Sequence, residues 1–140
     1  MVTDFLQCCD IVEKCYEFLL GYAAQGLPSD QGSPAGREVR NQLEQARDAL
    51  VGLPDSCRRA IDDHELAPQR KYDAFCSMLE HDVSNSLVAF ELVLAQPSIS
   101  SQLIDNLNAS SHLRALLTDV FLFGEILRTQ AKVIVPLEGT

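Results

Sequence analysis

Residues 86–95 read SLVAFELVLA, a run in which a single carboxylate, Glu91, interrupts apolar and small side chains. A helix written this way is hydrophobic on most of its circumference, so it is expected to be covered on more than one side. Heptad counting sharpens this. Glu91 continues a polar row begun by Ser77, Glu80 and Ser84, and Val88, Leu92 and Ala95 are the apolar additions beside it. One face of the stretch should hold its own domain together, and the second should hold something else to it.

Working outward, Pro68 opens the longest pattern in the chain: Tyr72, Phe75, Cys76, Leu79, Val83, Leu87, Phe90 and Leu94 share one face until Pro97 stops it. That spacing predicts a helix of about seven turns. Beyond it, Ser98 or Ser100 can cap a short helical piece carrying Ile99, Leu103, Ile104 and Leu107, which the polar sequence NASS at 108–111 breaks and recaps. A last long helix carries Leu113, Leu116, Leu117, Val120, Phe123, Leu127 and Ile134 to about residue 135, with Phe121, Leu122 and Ile126 widening its apolar side around Glu125. Residues 136–140 read as a tail.

Toward the N-terminus, Thr3 is a plausible cap for a helix to about residue 25 whose core face is Phe5, Cys8, Val12, Cys15, Leu19 and Tyr22. Gln7, Asp10, Lys14, Glu17 and Gly21 fall opposite. Residues 26–34, GLPSDQGSP, are rich in turn formers and read as a flexible loop. Ser33 and Pro34 then make an N-cap and first-turn pair for a helix with a narrow stripe of Val39, Leu43, Ala46, Leu50 and Leu53. Gly52 and Pro54 should end or bend it, leaving 55–66 as a short helix or turn packed by Cys57 and Ile61.

The fold class is therefore all-α: an antiparallel four-helix bundle with one or two short connecting helices, in a single domain over 1–140. The chain is long enough to bury a core without metal or disulfide staples. No segment of useful length alternates with the period of a strand.

A formal charge of −9 argues against capture of nucleic acid or an anionic membrane, since both require clustered Lys and Arg. The charge is segmental. Residues 1–33 and 72–97 are acidic, whereas Arg37, Arg40, Arg47, Arg58, Arg59, Arg70 and Lys71 balance the acids of the segment between them, an arrangement that favours ion pairs among neighbouring helices. Five cysteines at 8, 9, 15, 57 and 76 lack framework spacing, the N-terminus lacks a basic leader, and no apolar run is long enough to span a bilayer. A reducing cytoplasm is the expected compartment.

Glu17, Glu91 and Glu125 could line an internal cavity for a small molecule or metal, as carboxylates do in di-iron bundles. Yet no Glu among 13, 17, 80, 91 and 125 is followed three residues later by His, and Glu17 and Glu125 count onto polar faces, so no metal site and no cofactor are expected. His64, His81 and His112 show no chelating spacing. There is no CxxC, so the cysteines read as small buried hydrophobes, with Cys9 or Cys57 the ones that could be exposed. Glycine-rich phosphate loops and nucleophile elbows are absent. The reading that remains is a non-enzymatic protein acting through another protein or a second copy of itself, a homodimer, with regulatory, adaptor or chaperone-like character. Its expected interface is Val88, Glu91, Leu92, Phe121, Leu122 and Glu125.

Overall fold

The computed structural model describes the backbone of residues 2–138 and the side chains of residues 4–130. Among them are five helices and no strand: α1 (Val2–Ala24), α2 (Pro34–Asp63), α3 (Gln69–Leu94), α4 (Ser101–Ala109) and α5 (Ser111–Glu138). The all-α expectation holds. Thr3 lies inside α1 rather than before it, and its side chain, like that of Ile134, is outside the described residues.

α1 lies at the centre of the packing, against α2, α4 and α5, while α3 packs on α2 and α5. Its buried stripe is Phe5, Cys9, Val12, Cys15, Leu19 and Tyr22. The sequence reading placed Cys8 on that row, but the row steps by four from Phe5 to Cys9, so Cys8 is only half-buried. α1 ends at Ala24, and Gly26 just beyond it has a φ of +66°, the left-handed turn that glycine adopts without a Cβ clash.

Ser33 caps α2 as expected, its Oγ accepting from the Gly36 amide at 3.0 Å with Pro34 behind it. The expected break at Gly52 and Pro54 does not occur. α2 runs on to Asp63, because the apolar row continues without a gap through Leu50, Leu53, Cys57, Ala60 and Ile61, all buried. Burying each such side chain is worth about 1–3 kcal/mol, which outweighs the roughly 3 kcal/mol cost of one interior proline.

α3 begins and ends within two residues of its predicted bounds, but its buried face is Cys76, Leu79, Val83, Ser86, Phe90 and Val93. Ser86 and Val93 take the places expected for Leu87 and Leu94, which are half-buried. The serine is accommodated because its Oγ donates to the His112 carbonyl at 3.1 Å. Ser100 and Ser110 cap α4 and α5, accepting from Leu103 and Leu113 amides. α5 continues past Pro136 to Glu138, where a tail was expected; so near a helix end, proline deprives only one carbonyl of its donor.

Residues 26–34 are tied down rather than merely connecting α1 to α2. Asp30 is buried, and its Oδ1 accepts from the Ile99 amide at 2.6 Å while its Oδ2 accepts from Arg40 Nε at 2.6 Å. The same guanidinium donates to the carbonyls of Leu94 and Gln96 at 3.1 and 2.8 Å, filling acceptors that the end of α3 leaves open. Leu27 and Ser101 bond reciprocally, each amide at 2.8 Å from a group of the other residue, and Tyr22 Oη donates to the Ile99 carbonyl at 2.7 Å. Turn-forming composition hid this clasp, whose strength lies in one acid and a distant arginine.

Burial alone would push the Asp30 carboxyl up, but the Arg40 guanidinium and the Ile99 amide outweigh it and hold it below the usual carboxylate range. Its contribution is therefore present above that range and lost as pH falls through the depressed folded value. Arg40→Ala leaves a buried, underpartnered carboxylate, and a loss of about 2 kcal/mol is expected by urea denaturation at neutral pH, narrowing as the solution is acidified below pH ~4. Gly36 is the second sensitive point. A Cβ there would lie 1.7 Å from the Asp30 carbonyl oxygen, so Gly36→Ala should displace the loop and lower the melting temperature by several degrees despite alanine's better helix propensity.

Candidate functional site

Phe123 of α5 is the hub around which three helices meet. Its ring lies edge-on to Phe5 of α1 at 5.1 Å and stacks with Phe75 of α3 at 5.2 Å, with Tyr72 edge-on at 6.2 Å. Such pairs add about 0.5–1.5 kcal/mol beyond the area they bury. Above this buried cluster the surface is open: Ala67, Pro68, Lys71, Tyr72, Phe75, Phe123 and Ile126 line a cavity of about 250 Å³. A second of about 320 Å³ shares Tyr72 and Ile126 with it and adds Leu122, Glu125, Thr129 and Gln130. Together they form a groove between the start of α3 and the later half of α5.

The six residues expected at an interface are all exposed, Val88 to 69%, Leu92 to 63%, Leu122 to 53% and Phe121 to 45%. They do not form one patch. Ser86 contacts His112, and Tyr72 and Phe75 contact Phe123, so the later half of α3 lies beside the start of α5. Leu122 lies level with Tyr72 and Phe75, so Val88 and Leu92 are separated from it by roughly thirteen to seventeen residues along α3, about 20–25 Å. Leu122 and Glu125 line the groove, whereas Val88, Glu91 and Leu92 face outward from α3, opposite Phe90 and Val93. Residues 86–95 thus have one face buried within the chain and a second, apolar face that no other element of the chain covers.

Glu17, Glu91 and Glu125 stand exposed on three different helices, so they do not line an interior. No group of three or more metal-binding side chains occurs among the described residues. Besides Asp30, the acid buried among the described residues is Asp119, only 3% exposed, one helical turn from Leu116 and Phe123 on the core side of α5. Burial, a hydrogen bond to the Asp82 carboxyl of α3 and that group's charge all raise it far above the carboxylate range, and its buried Oδ2 has no hydrogen-bond partner. Spacing could have disclosed it, since 116, 119, 120 and 123 make one helical row.

The cysteines are small buried hydrophobes as expected, Cys8 alone being half-buried; Cys9 and Cys57, the ones that could have been exposed, are buried too, and desolvation pushes Cys9 up to about 12 and raises Cys57 as well. The middle arginines bridge helices as expected, Arg58 to Glu80 and Arg59 to Asp4 at 4.0 Å. No helix among the described residues is long and apolar enough to cross a membrane. No protein-family model matches this chain, and comparison with curated proteins and with solved structures likewise finds no match.

A raised acid binds a proton in the folded state that the unfolded chain has released, so its stabilising contribution is full below pH ~4 and is lost as pH rises through the folded value of about 8. Denaturant midpoints measured across this window should fall with pH, by no more than about 1.4 kcal/mol per unit, and Asp119→Asn should flatten the slope and stabilise the protein at its alkaline end.

Proposed function

We propose that this chain is a non-enzymatic protein-interaction module of the cytoplasm, an antiparallel helical bundle that receives an apolar helix in the α3–α5 groove and pairs with a second copy of itself. The observation that carries the reading is the groove itself. Its lining is Tyr72, Phe75, Leu122, Phe123 and Ile126, with Lys71 and Glu125 as its charged members. Two joined cavities fit side chains spaced three or four residues apart on one incoming helix. The charged pair supplies orientation and the apolar lining supplies burial energy.

The antiparallel arrangement is supported by the order of contacts, in which His112, Asp119 and Phe123 of α5 meet Ser86, Asp82 and Phe75 of α3 in turn. Self-pairing is supported by the spacing of the two apolar patches. A two-fold axis would seat Val88 and Leu92 of one copy on Leu122 of the other, and the same contact would recur on the far side. Two chains of charge −9 repel, so the association should tighten as salt rises.

Light scattering and sedimentation of the purified chain test this. The wild type is expected as a dimer, and Leu122→Asp and Leu92→Asp, both at exposed positions that leave the core intact, should each weaken it by about 2 kcal/mol, roughly thirtyfold in Kd. A wild-type monomer that rejects apolar amphipathic helices, or variants indistinguishable from wild type in association and partner binding, would sink the proposal.

A further inference from the structure

Two cysteines that lie nineteen residues apart in sequence are brought together where α2 crosses α3. Cys57 Sγ and Cys76 Sγ are 3.6 Å apart, close enough for one thiol to donate to the other. A modest side-chain rotation closes such a gap to a sulfur–sulfur bond. Both side chains are buried, Cys57 completely and Cys76 to 2% exposure, but Cys76 lies at the floor of a surface-open cavity of about 200 Å³ with Arg58, Ile61, Asp62, Gln69 and Asp73. We propose that Cys57 and Cys76 are a peroxide-sensitive thiol pair, in which Cys76 is oxidised through this cavity and Cys57 then closes a disulfide between α2 and α3.

The cavity determines the oxidant class. It holds a few water-sized molecules, each about 30 Å³, which admits a small neutral peroxide and excludes a bulky peptide disulfide. Two carboxylates, Asp62 and Asp73, line it and further disfavour anions. In the first step the Cys76 sulfur attacks one oxygen of hydrogen peroxide, the O–O bond breaks, and Cys76 sulfenic acid and one water result. In the second the Cys57 sulfur attacks the sulfenic sulfur, the S–O bond breaks, and the disulfide and a second water result. The dithiol gives up two electrons and two protons, and one peroxide becomes two waters.

The order of the steps follows from the surroundings. Burial raises both thiols, and Arg58 favours the anion of either, but only Cys76 lines the cavity through which peroxide arrives, with Cys57 behind it. Cys76 is thus the sulfur that reacts and Cys57 the one that resolves. Because both are raised, the reaction is slow, and the pair responds to sustained peroxide rather than scavenging it.

The test treats the full chain with hydrogen peroxide, alkylates the remaining thiols and maps peptides by mass spectrometry without reduction. A Cys57–Cys76 linked peptide, lighter by two hydrogens, is expected with peroxide and severalfold less with oxidised glutathione. In Cys57→Ser the sulfenic acid has no resolving thiol, so labelling of Cys76 by a cyclic diketone should rise severalfold over wild type. Intact thiols after prolonged peroxide, a Cys9–Cys57 link in place of the expected one, or faster linkage by oxidised glutathione would each overturn the proposal. The wild-type map decides the matter even if Cys57→Ser fails to fold.

Discussion

The Asp30–Arg40 pair is the constraint on which the rest of the architecture leans. One guanidinium holds a buried carboxylate from the α1–α2 connection and at the same time two carbonyls at the end of α3, so three otherwise independent termini share a single charge. A buried ion pair by itself is weak support for stability, because desolvation cancels much of the attraction. Here the remaining lone pairs are also used. Ile99 donates to Asp30, and Leu27, Ser101 and Tyr22 close neighbouring backbone groups.

With that end fixed, the apolar rows align the other. α1 supplies Phe5, α3 supplies Tyr72 and Phe75, and α5 supplies the Phe123 ring that all three touch. The aromatic cluster makes a rigid floor, and the groove lies on it. A surface of this kind is pre-organised: its side chains are held by contacts below them, so little rotamer freedom remains to be lost on docking. The outward Val88 and Leu92 have no such support beneath them, and they contribute area rather than shape.

Much of the fold was legible in the sequence because period 3.6 was strong in every long helix and serine caps marked three of the starts. What was not legible has physical causes. Pro54 reads as a stop, yet a local cost of this size yields when the apolar row continues on both sides of it. The GLPSDQGSP loop reads as mobile by composition, but Asp30 meets its partners across ten and sixty-nine residues of sequence, a distance that no window spans. The same holds for Cys57 and Cys76, and for the groove, which needs two helices to be seen side by side. Of the interface expected at residues 86–95, Val88, Glu91 and Leu92 are all exposed in the single chain, on the side of α3 away from Phe90 and Val93. That is why the opening stretch now counts as a core helix with one uncovered apolar face.

The claim that most of this rests on is that the polar clasp belongs to the same cooperative unit as the core. Native-state hydrogen exchange at the Ile99 and Ser101 amides measures it directly, since these donate to Asp30 and to the Leu27 carbonyl. Protection equal to that of amides in the middle of α2 is the expected result, because the clasp should open only when the whole domain does. Exchange at the rate of an unstructured loop, with α2 still protected, would contradict the account.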